Sequence, residues 1–170
     1  MIRIRREESR DYEAIDSVIR AAFMGAEHSD GNEAELVASL RQSEAYIPDL
    51  SLVAEKDEQI VGYIMFTKAK VGQSMVLALA PLAVLPEYQR QGVGRALVKK
   101  GHAIAAAQGF THSVVLGSER YYPQFGYVPA HTLGIKAPFV VPDENFMAIS
   151  FQEDGILQGM MTYDAAFGIE

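Results

Sequence analysis

The chain contains no cysteine among its 170 residues. This absence excludes disulfide bonds, thiolate zinc sites and any covalent intermediate on a cysteine sulfur. No apolar run approaches the roughly 18 residues that a membrane-spanning helix needs. The N-terminal stretch MIRIRREES also lacks the central apolar block of a secretory signal. We therefore expect a cytoplasmic protein without a membrane partner.

Motifs of several other enzyme classes are missing as well. The sequence has no G-x-x-x-x-G-K-[ST] phosphate loop, no G-x-G-x-x-G opening a first βα unit and no G-x-S-x-G elbow. The spacing of His28, His102, His112 and His131 fits no H-E-x-x-H or H-x-x-H zinc motif. Nucleotide hydrolysis, dinucleotide binding, serine hydrolysis and a bound metal are therefore not expected.

Composition limits the size of the protein and its partners. A length of 170 residues, 49% of them hydrophobic, suits one sizeable core, so we expect a single domain over residues 1–170. The formal net charge of −7 disfavours a general nucleic-acid binder, because phosphate contacts need a basic face. The sequence allows a homodimer.

Apolar patterning predicts alternating strands and helices, hence an α/β or α+β fold. Asp11 is expected to cap a first helix, and a capping-box pattern beginning at Asn32 is expected to start a second. A third helix begins near Val93 and is expected to end near Gly109. The predicted strands are residues 2–5, 51–55, 60–66, 75–84, 112–116 and 146–151, the second and third forming a hairpin and the remainder of the C-terminal part covering the sheet.

Pro81 lies inside one predicted strand. Proline cannot donate a ladder hydrogen bond, so a bulge or a departure from regular pairing is expected there.

The most informative segment is QRQGVG, from Gln89 to Gly94. It follows an apolar strand and opens a helix, and Gly92 and Gly94 leave the turn without side chains. The first turn of a helix has unpaired amides and carries about half a positive charge, so it suits a phosphate group. The turn is therefore a candidate pyrophosphate site.

This hexapeptide has the form Q/R-x-x-G-x-G/A, which resembles the acyl-CoA motif of the GCN5-related N-acetyltransferases (GNAT family). A second element, SERYYPQFGY, resembles the family's Y-x-x-x-G-F element, with Tyr127 in place of Phe. The C-terminal portion is similar to the YhbS-like bacterial subgroup. The resemblance implies one mixed, mostly antiparallel sheet that splays around a cofactor cleft, with helices on both faces.

The resemblance also implies acetyl-CoA as cosubstrate and assigns residues to it. The splayed strand would offer its amides to the pantetheine arm, and the turn would hold the phosphates. Lys99 and Lys100 could assist or simply form a solvated helix face. The implied cofactor-binding residues are Leu82, Ala83, Val84, Gln89, Arg90, Gln91, Gly92, Val93, Gly94 and Arg95.

Catalytic candidates follow from the same resemblance. Tyr122, four residues before Gly126, would be the general acid that protonates the leaving CoA sulfur, since a phenol stays protonated at neutral pH. Tyr121 is the alternative. The family does not fix the general base; the main candidates are Glu33 and Glu119, and Glu27, His28 and Asp30 also lie in segments that border the acceptor cleft in similar proteins.

The expected function is direct transfer of an acetyl group from acetyl-CoA to a primary amine in a ternary complex. The amine could belong to a small molecule or to a protein, and the sequence does not name it. The alternative is a noncatalytic acyl-CoA-binding module that acts as a sensor or regulator. Such a module would keep the phosphate turn but would not need Tyr122.

Overall fold

The computed structural model describes residues 1–25, 31–153 and 155–169. The helices among these residues are α1 (Tyr12–Phe23), α2 (Glu33–Arg41) and α3 (Val93–Ala107). The strands are β1 (Arg3–Arg6), β2 (Ser51–Lys56), β3 (Gln59–Val71), β4 (Ser74–Val84), β5 (His112–Leu116), β6 (Val128–Pro129), β7 (Ile135–Lys136), β8 (Phe146–Ser150) and β9 (Gly159–Thr162).

The strands form one sheet in the order β1-β2-β3-β4-β5-β8-β6. β9 pairs with the C-terminal end of β3 and with β7. The β4–β5 and β7–β9 pairs are parallel, and the other pairs are antiparallel. The prediction of a mixed, mostly antiparallel sheet is confirmed, while the short strands β6, β7 and β9 were not foreseen.

Helices cover both faces of this sheet, as predicted. Val53 and Tyr63 point to the face where α1 and α2 pack, with Ile15 of α1 fully buried against them. Leu52 and Ile64, their neighbours along the strands, point to the opposite face and pack under α3. Successive side chains of a strand alternate between faces, so these two buried strands supply both cores.

Strand β3 is longer than the predicted strand 60–66. β3 continues to Val71 and turns at Gly72, which has a positive φ of 59°, directly into β4. Residues 67–71 alternate between buried and exposed, with Lys68 and Lys70 on the exposed side. This alternation is itself a strand signal, which the prediction ending β3 at Phe66 missed.

The expected irregularity at Pro81 is confirmed. Ile64 of β3 faces Leu82 of β4, whereas Phe66 faces Leu79. Two residues of β4, Ala80 and Pro81, therefore lie opposite a single residue of β3, which is a bulge. It occurs where a proline cannot supply the ladder hydrogen bond.

Two predicted helix caps are wrong. The Asp11 carboxylate does not cap α1; it accepts hydrogen bonds from the Arg5 guanidinium at 2.7 and 3.0 Å and from the Glu8 amide at 2.8 Å. Asn32 precedes α2 but makes no side-chain capping bond, and Glu35 accepts from Arg20 of α1 at 2.7 Å. In both places a carboxylate that was predicted to cap a helix accepts from an arginine instead.

A buried hydrogen-bonded chain joins α3 to β5. The Tyr127 hydroxyl lies 2.9 Å from Ser113 Oγ on β5 and 2.9 Å from His102 Nε2 on α3. The His102 ring also contacts the rings of Phe66 and Phe151. Because these surroundings remove water from the imidazole, burial lowers the pKa of His102 to about 4. The imidazole is therefore neutral in the folded protein at pH 7.

This buried histidine should make the fold sensitive to mild acid. The pKa of His102 is about 4 in the folded chain and about 6.5 when unfolded. The unfolded chain therefore binds more protons between these values, and the free energy of unfolding falls as pH drops through this window. We expect a loss of about 1–2 kcal/mol between pH 7 and pH 5 in urea unfolding.

His102→Gln should flatten that pH dependence. His131→Gln, at a histidine whose side chain is 59% exposed, is the matched control and should leave it unchanged. Equal pH dependence of the unfolding free energy in the wild type and in His102→Gln would show that His102 does not cause it.

Candidate active site

The sheet splits between β4 and β5. These parallel strands pair only at Leu77 with Ser113 and at Ala78 with Val114, and then diverge. A cleft of about 740 Å³ occupies the gap. Its walls in the sheet are formed by Leu79, Ala80, Pro81, Leu82 and Val84 of β4 and by Val115, Leu116 and Gly117 at the end of β5.

Backbone groups of β4 point into this gap. The Leu85 amide donates to the Val61 carbonyl on β3 at 2.9 Å. Because N–H and C=O directions alternate along a strand, those of Leu82 and Val84 point away from β3 and into the cleft. The predicted cofactor residue Ala83 differs: its amide faces β3, its methyl group is buried in the α1–α2 core, and it does not line the cleft.

The glycine turn before α3 forms one end of the cleft. Arg90 and Gly92 both have left-handed backbone, with φ of 64° and 87°. In such a turn successive backbone amides point toward one place, where they can bind an anion. The amides of Val93, Gly94 and Arg95 open α3 and have no carbonyl one turn earlier within the helix. A non-glycine residue in this conformation is strained, a feature that concentrates at ligand sites.

Side chains of the predicted turn residues take different positions. Gln89, Arg90 and Arg95 line the cleft. Gln91 does not: its amide group accepts from Lys56 Nζ and donates to a main-chain carbonyl, each at 3.1 Å. Val93 is buried in the core beneath α3. Gln91 and Val93 could therefore serve a ligand through their main-chain amides alone.

Gly94 is required by a protein contact. A Cβ atom at this position would collide with the Tyr121 hydroxyl. Tyr121 therefore lies against the first turn of α3, at the end of the cleft that the glycine turn forms. Arg95 donates from Nη2 to Gln124 Oε1 at 2.9 Å, which also ties α3 to the segment after Tyr121.

Tyr122 lies farther along the cleft, at the end of β5. A Cβ at Gly117 would come within 2.6 Å of its ring, so this glycine makes room for the tyrosine. The Tyr122 ring meets the Tyr127 ring edge to face, with centroids 5.6 Å apart. Burial raises the pKa of Tyr122 well above that of a free phenol. The hydroxyl is therefore protonated at neutral pH.

The two candidate bases are placed differently. Glu33, the first residue of α2, lines the cleft from the face opposite α3. Glu119 does not line it; its carboxylate accepts from Asn145 Nδ2 at 2.7 Å. Hydrogen bonds from its own backbone amide and from Asn145 lower the pKa of Glu119, which makes it a weaker base. Glu27, His28 and Asp30 lie outside the described residues.

Sequence reasoning missed several lining residues. Ser118 and Gln124 belong to the SERYYPQFGY segment and Tyr88 directly precedes QRQGVG, so these three could have been found by position. The apolar lining from the two first helices carried no chemical motif. The missed residues are Ala22, Phe23, Leu36, Leu79, Ala80, Tyr88, Val115, Leu116, Gly117, Ser118 and Gln124.

A sheet that splits beside a glycine turn at a helix start, with a tyrosine at the opposite wall, defines the GCN5-related acetyltransferase fold. A model described as the Acetyltransferase (GNAT) family matches residues 6–127. The chain belongs to this family, and the resemblance drawn from QRQGVG and the tyrosine element is confirmed.

Two Escherichia coli (strain K12) proteins are similar in sequence. The uncharacterized N-acetyltransferase YhbS is 31% identical over 169 residues, covering 96% of this chain and 97% of YhbS. The uncharacterized N-acetyltransferase YjhQ is 42% identical over 118 residues, which span 66% of this chain and 65% of YjhQ. The predicted likeness to YhbS is thus confirmed over nearly the whole chain.

Solved structures agree. A GNAT family acetyltransferase from Brucella melitensis, in complex with acetyl-CoA, has a TM-score of 0.83 at 33% identity, covering 98% of both chains. YhbS from Escherichia coli, in complex with CoA, has a TM-score of 0.89 at 29% identity, covering 98% of this chain and 92% of that one.

None of the helices in the described part of the chain has the length and apolar character that a membrane-spanning helix needs.

The phosphate turn can be tested with a matched pair of glycines. Gly92→Asp places a negative charge where a pyrophosphate would lie, so acetyl-CoA affinity in calorimetry should fall by about 10²-fold or more. Gly109→Asp is the control, because Gly109 has nearly the same φ, 88° against 87°, and equally open surroundings at the other end of α3.

Both variants carry the same backbone strain, so both should lose about 1 kcal/mol of stability. Only Gly92→Asp should lose the cofactor. Equal affinities of the two variants would show that the turn does not hold the phosphates.

Proposed function

We propose that this protein transfers an acetyl group from acetyl-CoA directly to a primary amine within a ternary complex. One observation carries the proposal: the phosphate turn, the outward amides of β4, Tyr122 and Glu33 all border the same cleft. The complexes of its relatives with acetyl-CoA and CoA support the choice of cosubstrate.

Different residues of the cleft would bind different parts of acetyl-CoA. The turn and the first amides of α3 would hold the pyrophosphate. The amide and carbonyl of Leu82 and the amide of Val84 would pair with the amide-rich pantetheine arm as a neighbouring strand does. The Val84 carbonyl already accepts from Gln89 Nε2 at 3.1 Å. This order along the cleft leads the acyl end away from the phosphate turn and toward the end of β5. Acetyl-CoA supplies an acyl group already activated as a thioester.

The chain's own groups then serve three tasks. A β4 amide that points into the gap can donate to the carbonyl oxygen that gains negative charge in the tetrahedral intermediate. The Glu33 carboxylate can take the proton that an alkyl ammonium must lose before it attacks. The Tyr122 phenol, kept protonated by burial, can give its proton to the departing sulfur.

Position favours Tyr122 over Tyr121 for this last task. The Tyr121 hydroxyl lies against Gly94 at the phosphate end, whereas the Tyr122 ring lies against Gly117 at the end of β5. The leaving sulfur belongs to the end of the cofactor opposite its phosphates. Tyr122 is therefore on the side where the proton is needed.

Removal of the Tyr122 hydroxyl should reduce turnover and leave cofactor binding intact. We expect Tyr122→Phe to lower kcat by about 10²-fold, the lower range for loss of a general acid, with an unchanged Kd for acetyl-CoA. Released CoA can be followed with a thiol-reactive dye without background, because the protein has no cysteine. Tyr121→Phe, the neighbouring phenol, is the control and should change kcat by less than about threefold.

A full rate in Tyr122→Phe would remove Tyr122 from the mechanism. Binding of acetyl-CoA without release of CoA in the presence of any amine would instead favour a noncatalytic sensor.

Substitution of Glu33 and of Glu119 tests which carboxylate is the general base. Glu33→Gln should lower kcat at pH 7 by about 10²-fold, with part of the rate regained at higher pH as more of the amine is deprotonated. Glu119→Gln, at a carboxylate outside the cleft lining, should retain the wild-type profile of rate against pH. The reverse result would transfer the role to Glu119.

A further inference from the structure

The side of the cleft formed by α1 and α2 is apolar, because Ala22 and Phe23 of α1 and Leu36 of α2 line it. Leu116, at the end of β5, also lines the cleft and is 51% exposed. These four residues form the apolar wall. A group of apolar side chains that lines a cleft is typical of a surface that a ligand covers.

Three of the lining residues that the structure describes are charged: Glu33, Arg90 and Arg95. Arg90 belongs to the glycine turn and Arg95 to the first turn of α3. Glu33 is therefore the charged group that the described lining places beside the apolar wall.

We propose, on the basis of the function given above, that the acceptor is a monoamine with an apolar alkyl or arylalkyl body. Its single ammonium group lies at Glu33, and its body lies on Phe23, Leu36 and Leu116. Phe23, Leu36 and Leu116 offer the body of the ligand carbon atoms, and Glu33 is the carboxylate among the described lining residues. An acceptor with a second ammonium would find no second carboxylate among these described residues and would have to desolvate that charge against the apolar wall.

The reaction balances with these groups alone. The ammonium proton passes to Glu33, and the amine nitrogen forms a bond to the acetyl carbon. The carbon–sulfur bond breaks with its electron pair on sulfur, which takes the Tyr122 proton. The nitrogen, positively charged after its attack, then loses a second proton, which restores the Tyr122 phenol. Glu33 releases its proton to solvent. The products are an N-alkylacetamide and CoA, and no oxidant or further reactant is needed.

A series of straight-chain amines tests the proposal. Ethylamine to hexylamine have nearly the same basicity, so differences among them report contact with the wall. Each added methylene should raise kcat/KM by about fourfold, the value of one buried CH₂. Released CoA is the readout.

Three molecules of equal length separate apolar contact from size. Hexylamine, 5-amino-1-pentanol and 1,5-diaminopentane differ only in the group at the far end. We expect hexylamine to exceed the diamine by about tenfold or more in kcat/KM, although the diamine carries two amino groups. A flat alkyl series, or a preference for the diamine, would overturn the proposal.

Leu116→Ala connects the preference to the wall. It should reduce the ratio of hexylamine to ethylamine by about tenfold, and the Kd of acetyl-CoA should stay the same. Val128→Ala is the matched control, since Val128 is also an exposed apolar strand residue, 40% exposed, and is outside the lining. An unchanged ratio in Leu116→Ala would also contradict the proposal.

Failure of the proposed function would give a different result. In that case no amine would release CoA, although acetyl-CoA would still bind. Calorimetry of hexylamine and 1,5-diaminopentane on the CoA-loaded protein then tests the wall by itself. Tighter binding of hexylamine supports an apolar monoamine site, and equal or weaker binding contradicts it.

Discussion

The divergence of β4 from β5 is the constraint on which the rest of this structure depends. Only two residue pairs join the strands before they separate. Beyond them, the N–H and C=O groups of Leu82 and the N–H group of Val84 have no neighbouring strand, whereas the Val84 carbonyl accepts from Gln89 Nε2 at 3.1 Å. Backbone polar groups taken out of water need partners. A cleft lined by strand edges selects a ligand that can pair as a strand does. The glycine turn follows β4 in the chain, so it would contact the other end of the same ligand.

The two walls of the cleft are held in register at the point of divergence. Ser113 pairs through its backbone with Leu77 of β4, and its hydroxyl contacts the Tyr127 hydroxyl. Tyr127 in turn reaches His102 on α3. The residue where the strands part is thus tied to the helix whose start forms the phosphate turn. Tyr127 occupies the position where the family's element has Phe, so this chain adds a polar link across the core.

Features set by local chemistry were predictable from the sequence. The glycine turn, the end of α3 near Gly109 and the bulge at Pro81 each follow from the backbone limits of one or two residues. The tyrosine element was found by its spacing, and the family confirms the resemblance that it carried.

Features set by contacts distant in sequence were not predictable in the same way. Asp11 has the sequence of a helix cap, but its carboxylate bonds to Arg5 of β1. Ala83 lies between Leu82 and Val84, which line the cleft, but strand alternation turns its own amide toward β3. The apolar wall, with Leu36 and Leu116, exists only once α2 and β5 line the same cleft. Spacing alone cannot reveal such a surface.

The weak pairing of β4 with β5 makes the stability of the fold a function of ligand concentration. The strands β1 to β4 and the group β5, β8 and β6 share only this short pairing within the sheet. A ligand that fills the gap binds the folded chain and not the unfolded one, so it stabilises the protein by about 2.7 kcal/mol at one hundred times its Kd. On the proposed function, a rising concentration of acetyl-CoA would therefore raise the free energy of unfolding of this protein.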